Sequence, residues 1–227
     1  MQGKIFKAMT CVSVCLLILV SVSCKKSTAP SKVTIPPEWM QVEQAVKGMK
    51  TYEANFVFQN FKAGVKSISQ GQILYKDPDK MRIEINLSGI VGQEELILHN
   101  GKIKWSYSPS RKFAFKEVAS LNTNSFEPFG LNLDPHHLVY QGRAIYDGSE
   151  CNIFQLEQKD SGTLIKAAVS LKDGIPRQIE FYNKDGTPRT IEEISSVKIN
   201  VPIGDSKFHF TPPPGTQIID LSESSKR

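Results

Sequence analysis

Residues 71–116, GQILYKDPDKMRIEINLSGIVGQEELILHNGKIKWSYSPSRKFAFK, decide the fold. Taken at alternate positions they give Ile73 and Tyr75, then Met81, Ile83, Ile85 and Leu87, then Leu96 and Leu98, then Ile103, Trp105 and Tyr107, then Phe113 and Phe115. The residues between are mostly polar, among them Gln72, Arg82, Glu84, Glu95, His99, Lys104, Ser106 and Lys116. A period of two means extended strands with one buried face, because successive side chains of a strand point to opposite sides. The interruptions have turn chemistry: Asp77-Pro78-Asp79, the stretch framed by Gly89 and Gly92, Asn100-Gly101 and Ser108-Pro109-Ser110. Asn-Gly is the strongest of them, since both central residues of a type I′ turn need positive φ. The pattern predicts an antiparallel meander with all these apolar residues on one wide face that needs cover.

Upstream, Tyr52, Ala54, Phe56 and Phe58 alternate as a first strand and 67–76 form a second. Before them, Trp39, Val42, Val46 and Met49 recur at helical spacing, and Pro37 suits a first helical position, which predicts a helix over 38–50. Downstream, 119–140 lacks a period of two and predicts an irregular apolar segment with a short helix. Strands resume at 143–147, 150–159, 163–171, 177–182 and 190–200, joined by Asp147-Gly148, Ser161-Gly162, Asp173-Gly174 and Asp185-Gly186. Pro212, Pro213 and Pro214 interrupt the last piece, 207–220.

The fold class is therefore mainly β with few helices (α+β). Twist and edge exposure make so wide a sheet curl, so we expect a curved antiparallel sheet forming an incomplete β-barrel, closed by the helix and the 119–140 segment around an apolar cavity. A barrel filled by its own side chains is the competing possibility.

The 227 residues are 40% hydrophobic and 22% charged, ordinary for one globular domain. The net charge of +5 is dispersed, and Lys4 and Lys7 belong to the leading segment, so no nucleic-acid partner is expected. Residues 1–23 have the form of a signal peptide, with a basic start and no charge from Ala8 to Ser23. They lead into Val22-Ser23-Cys24-Lys25-Lys26, which resembles a bacterial lipoprotein signal. The resemblance implies acylation of Cys24 as the mature N-terminus, with Ser21 where such signals usually have leucine. Ordinary secretion and an uncleaved anchor are the other readings. Lys25, in place of the aspartate that marks inner-membrane retention in enterobacterial lipoproteins, points to the outer membrane facing the periplasm. Residues 24–37 form a flexible tether, 38–221 the domain and 222–227 a polar tail. Cys11 and Cys15 fall in the signal run, so Cys151 cannot be part of a disulfide framework and is expected buried on a strand.

No Gly-x-Ser-x-Gly elbow, His-Glu-x-x-His, Walker A loop or dinucleotide fingerprint occurs. His99 falls on the polar side of the alternation, His209 lies between Phe208 and Phe210, and the adjacent His136 and His137 diverge too far for one metal. Glu94-Glu95 and Glu192-Glu193 are neighbours that place at least one member in water rather than forming an acid/base dyad. We expect no enzyme, no metal and no cofactor other than a bound lipid or acyl chain.

Three stretches resemble the LolA family of periplasmic lipoprotein carriers. They are Phe208-His-Phe210-Thr-Pro-Pro-Pro-Gly215 with the following Thr-Gln-Ile-Ile-Asp220, Gly71-Gln-Ile-Leu-Tyr-Lys-Asp-Pro78 with Arg82, and Asn100-Gly101-Lys102 leading to Trp105-Ser-Tyr107-Ser-Pro109. The resemblance implies a half-barrel around a hydrophobic cavity for the acyl chains of lipids or lipoproteins, lined by Phe56, Phe58, Tyr75, Ile83, Leu96, Leu98, Trp105 and Tyr107. The family commonly has arginine before the Pro78 position, where it helps hold the closed state; here that residue is Asp77, with Arg82 the candidate replacement. An acylated Cys24 is similar to the anchored LolB-like receptor, which carries an apolar membrane-contact tip. Ile90 and Val91, between Gly89 and Gly92, are the counterpart, unless they fold back onto the domain. The implied role is lipoprotein or lipid transfer, or localisation to the outer membrane. The partners would be the membrane through the N-terminal lipid anchor, lipids or lipoproteins, and a periplasmic carrier or transporter. The alternative is an envelope-stress sensor or interaction module on the same fold.

Overall fold

A computed structural model describes residues 35–62, 64–87, 94–118, 135–158 and 162–221. The signal segment, Cys24, the tether up to residue 34, the pair Ile90 and Val91, and the tail 222–227 lie outside them. One α-helix, α1 (Pro37–Val46), precedes β1 (Thr51–Lys62), β2 (Val65–Lys76), β3 (Lys80–Leu87), β4 (Glu94–Asn100), β5 (Ile103–Ser108) and β6 (Phe113–Val118). After a 3-10 turn at Pro135–His137 come β7 (Val139–Tyr146), β8 (Ser149–Gln158), β9 (Thr163–Ser170), β10 (Pro176–Tyr182) and β11 (Pro188–Ile199). A second 3-10 turn, Asp205–Phe208, leads to β12 (Gln217–Asp220).

All twelve strands join in one sheet in the order β12-β6-β5-β4-β3-β2-β1-β11-β10-β9-β8-β7, so β12 and β7 are edges and the barrel is incomplete, as expected. The addition is β12: past the prolines the chain pairs in parallel with β6, Ile218 opposite Ala114 and Asp220 opposite Lys116, whose ammonium lies 2.6 Å from the Asp220 carboxylate. Helix α1 is shorter than the spacing predicts. Gly48 follows its last turn, and the chain is drawn into the sheet where Lys50 N–H donates to Asn200 Oδ1 (2.8 Å) and Lys50 O accepts from Asp77 N–H (2.8 Å). Met49 is buried in that link and not on the helix.

Register assigns the faces. Across β1, β2, β3 and β4 one row reads Tyr52, Tyr75, Met81, His99, the next Ala54, Ile73, Ile83, Ile97, and the third Phe56, Gly71, Ile85, Glu95. This inner face receives α1, with Trp39, Val42, Tyr52, Phe56, Ile73, Phe154, Ile179 and Ile194 in one buried cluster. Gly71 sits mid-strand because a β-carbon there would lie 1.9 Å from Glu84 O and 2.6 Å from Phe56 Cζ.

The expectation of a single apolar face fails at the β3–β4 connection. Ile83 stands opposite Ile97, so Leu96 and Leu98 face away from Ile83, opposite Glu84 and Arg82. Trp105 pairs with Leu98 and Tyr107 with Leu96, so both belong to the outer face, whereas Phe113 and Phe115, opposite Ser108 and Ser106, return to the inner one. Alternation holds within a strand, but turn length resets it between strands, and a shift of one residue exchanges the faces. His99 corrects the expectation of a polar-face position: it is inner and buried, with Nδ1 2.8 Å from Asp79 O.

The outer face has its own cover in the C-terminal segment. The turn Asp205–Phe208 packs on β3 and β4, Phe208 is 1% exposed, and the Phe210 ring lies 5.5 Å from Trp105 and 5.0 Å from Tyr107. Outer-face cations hold this strap: Asp205 is 2.6 Å from Lys76 and 3.2 Å from Lys80, which lowers its carboxyl pKa, and Arg82 Nη1 donates to Lys207 O at 3.2 Å. Arg82 is therefore committed to the outer face. Asp77 pairs with Lys50 at 3.0 Å beside the end of α1.

Phe208→Ala removes the plug of this outer core and should cost about 3–4 kcal/mol, read as a lower urea midpoint at unchanged m-value.

Candidate functional site

Helix α1 is fixed over one half of the inner face. Trp39 meets Phe154 edge-on at 5.3 Å, and Asn152 Nδ2 donates to Glu38 O at 3.4 Å. The β9–β10 turn approaches so closely that a β-carbon on Gly174 would lie 2.6 Å from Val46 Cγ1. That turn is braced by a buried ion pair, Arg177 Nη2 to Asp173 Oδ2 at 2.5 Å, in which Arg177 also donates to Ile175 O and Asp173 accepts from Ile175 N–H. Both charges keep partners on every side that packing allows, which is what makes a buried pair tolerable. Over β8 and β9 the inner face is thus covered by the protein's own side chains, with Phe154, Leu156, Ile165 and Ala167 buried and Phe181 of β10 partly exposed.

The other half is less complete. Phe58, Ile83 and Ile85 pack against the core but are only half-buried, and Phe58 stacks on Phe56 at 4.5 Å. Beside them a carboxyl points into apolar surroundings: Glu192 stands opposite Phe58 of β1 and Ile179 of β10, with Ile194 following it on the same face. Its Oε2 is out of water and has no hydrogen-bond partner among the described residues, and burial alone pushes its pKa up to about 8. Thr190, next on that face, donates to Asn60 Oδ1 at 3.1 Å. The pair Glu192-Glu193 therefore divides between core and solvent. Burial of Glu192 was legible only once the phase of β11 was set by Ile194.

Clefts open among the described residues. One of about 560 Å³ lies between the outer flank of α1 and the β2–β3 turn, lined by Met40, Glu43, Met49, Tyr75 and Asp77. Burial and the carboxylates of Asp77 and Asp79 hold the Tyr75 phenol up at about 12. A second, about 260 Å³, runs along the ends of β4, β5 and β6 past Ile97, Phe113 and Phe115, and a third, about 390 Å³, lies beside Phe210.

Of the eight residues expected to line one cavity, Phe56, Phe58, Tyr75 and Ile83 share the inner face. Leu96, Leu98, Trp105 and Tyr107 lie on the opposite face under the C-terminal strap and cannot contribute to the same cavity. Ile85 and Ile97 hold the inner positions in their place. Cys151 is fully buried on β8, and burial pushes its thiol up to about 11, which makes it an unreactive packing residue. Among the described residues no group of three or more His, Cys, Asp or Glu is placed to hold a metal, and no helix is long and apolar enough to cross a membrane.

No family model matches the chain. An uncharacterized protein of Methanocaldococcus jannaschii is 26% identical over 186 residues, 79% of this chain and 52% of that protein, so the chain spans about half the length of this relative. An uncharacterized conserved protein from Thermus thermophilus superposes with a TM-score of 0.59 at 10% identity, covering 81% of this chain and 96% of that one. MucB superposes with a TM-score of 0.51 at 10% identity, covering 81% of this chain and 65% of its own. At such identities the likeness is one of fold. The curled, open-edged sheet with a helix on its inner face is the incomplete half-barrel that the alternation of the sequence predicts.

A carboxyl whose pKa in the folded protein is raised from its ordinary 4.5 to about 8 costs stability as pH rises between those two values: nothing is lost below the lower one, where both states are protonated, and the loss is complete and constant above the upper one. Glu192→Gln should therefore be more stable than the parent by about 2 kcal/mol at pH 8. The difference should close as pH falls toward 4.5 in chemical denaturation series.

Proposed function

We propose that this chain is an envelope lipoprotein, without catalytic activity, that holds acyl chains of lipids or lipoproteins on the inner face of its half-barrel and takes part in their transfer or sorting. The observation that supports this is the inner-face set Phe58, Ile83 and Ile85, which stays partly exposed in a sheet that ends at β12 and β7 among the described residues. A buried methylene is worth about 0.8 kcal/mol, so an acyl chain of about fifteen methylenes gains roughly 12 kcal/mol over water. A carrier has to approach what a bilayer offers without surpassing it. A groove that covers only part of the chain meets that condition better than a sealed cavity.

The second reading, an interaction or sensing module, is favoured by the likeness to MucB and by free strand edges exposing Ile145 on β7 and Ile218 on β12. Pairing of a peptide strand with such an edge would serve it. Native mass spectrometry of the protein released from membranes separates the two. Transfer predicts a co-purifying mass of a lipid or fatty acid that Ile83→Asp removes. A protein that carries no lipid and takes up no fluorescent fatty acid, yet captures peptide, belongs to the second reading.

Anchoring at Cys24 places the domain at the membrane in this proposal, with the outer membrane as its site and the tether of 24–37 setting its reach. Cells expressing the protein should incorporate labelled palmitate into it, and Cys24→Ser should abolish both the label and membrane fractionation.

A further inference from the structure

Hydrocarbon alone does not define a ligand: an acyl chain ends in a polar carbonyl group that must also find a place. On the inner face the polar groups of one row stand together. Asn60 and Thr190 are cross-strand partners joined by a 3.1 Å hydrogen bond, and Glu192 is the next inner residue of β11. Its register neighbours are apolar, Phe58 on one strand, Ile179 on the other and Ile194 along its own, and its Oε2 is out of water although the residue as a whole is only partly buried. An unpaired carboxyl oxygen in such a place costs on the order of a full hydrogen bond's desolvation unless something else supplies the partner.

We propose that Glu192, with Thr190 and Asn60, forms the polar end of the inner groove and recognises the carbonyl head of a long-chain acyl ligand, a fatty acid or an acyl ester, whose chain lies against Phe58 and Ile85. This rests on the lipid-binding function above and names the part of the ligand that is read. In the neutral form the Glu192 O–H donates to a carbonyl or carboxylate oxygen of the ligand. The groups facing it across the sheet do not titrate: Phe58 and Asn60 from β1, Ile179 and Phe181 from β10, Thr190 and Ile194 from β11. Burial is the only influence on its protonation, and Arg189, the nearest cation along β11, is engaged over the Phe181 ring at 5.6 Å. The donor is therefore present at neutral pH and is lost in alkali, where ionisation replaces it with a charge that repels a fatty-acid carboxylate and leaves an ester without a donor.

The test uses the full chain titrated with cis-parinaric acid and with its methyl ester between pH 6.5 and 9.5. Both probes should bind at the lower pH, and the acid should lose roughly tenfold in affinity at the higher. Glu192→Gln, which keeps a neutral donor at every pH, should bind the acid equally at both ends of the range. Glu192→Leu, of similar size and compatible with Phe58 and Ile179, should bind both probes more weakly at pH 6.5. A larger loss for the ester than for the acid in Glu192→Leu identifies ester recognition, and the reverse identifies free fatty acid. Binding unchanged in both variants, or a pH profile that survives in Glu192→Gln, overturns the inference and leaves lipid binding standing. A parent protein that takes up neither probe at any pH overturns the lipid-binding function and this inference together.

Discussion

The placement of Ile83 opposite Ile97 is the constraint on which the rest of the molecule depends. It makes β4 a strand buried on both faces, with Leu96 and Leu98 outside and His99 inside all under one-tenth exposed. A strand that buries both faces needs two covers, and among the described residues the twelve-stranded sheet has one α-helix to give. The second cover comes from the end of the chain. The proline-rich segment cannot extend the sheet where Pro212, Pro213 and Pro214 fall, but it can carry Phe208 and Phe210 across β3, β4 and β5 before rejoining the edge as β12.

That arrangement gives the C-terminal motif a physical meaning. The two phenylalanines form an outer core with Leu98, Trp105 and Tyr107, and Lys76, Lys80 and Arg82 draw the strap down by its Asp205 carboxylate and Lys207 carbonyl. The exposed ion pairs are each worth little on their own. Their effect is orientation, because they hold the strap against β2 and β3. The aromatic motif is therefore part of the cover of the outer face, with Phe208 buried and Phe210 packed on Trp105 and Tyr107.

Strand positions, the proline-started helix, the open half-barrel and the burial of Cys151 were legible in the sequence because each is local: a period of two, a period of 3.6, or a turn dipeptide. The division of Leu96, Leu98, Trp105 and Tyr107 from Phe58 and Ile83 was not. Six residues between β3 and β4 separate two alternating patterns, and nothing in either pattern states which phase faces which. The stretch ELILH showed the difficulty, since three consecutive apolar residues in a short strand mean burial on both sides and not alternation. Glu192 escaped for the same reason. Its neighbour Glu193 is equally acidic, and only pairing with Phe58 and Ile179 separates the buried carboxylate from the exposed one.

The inner face is itself unequal, and the inequality follows from where the helix is held. Gly174 and the braced Asp173–Arg177 turn bring α1 down on the inner face, where Trp39 and Val42 join Phe154, Ile165 and Ile179 to Tyr52, Phe56 and Ile73 in one core. At the rim of that core Phe58, Ile83, Ile85 and Phe181 are only partly buried.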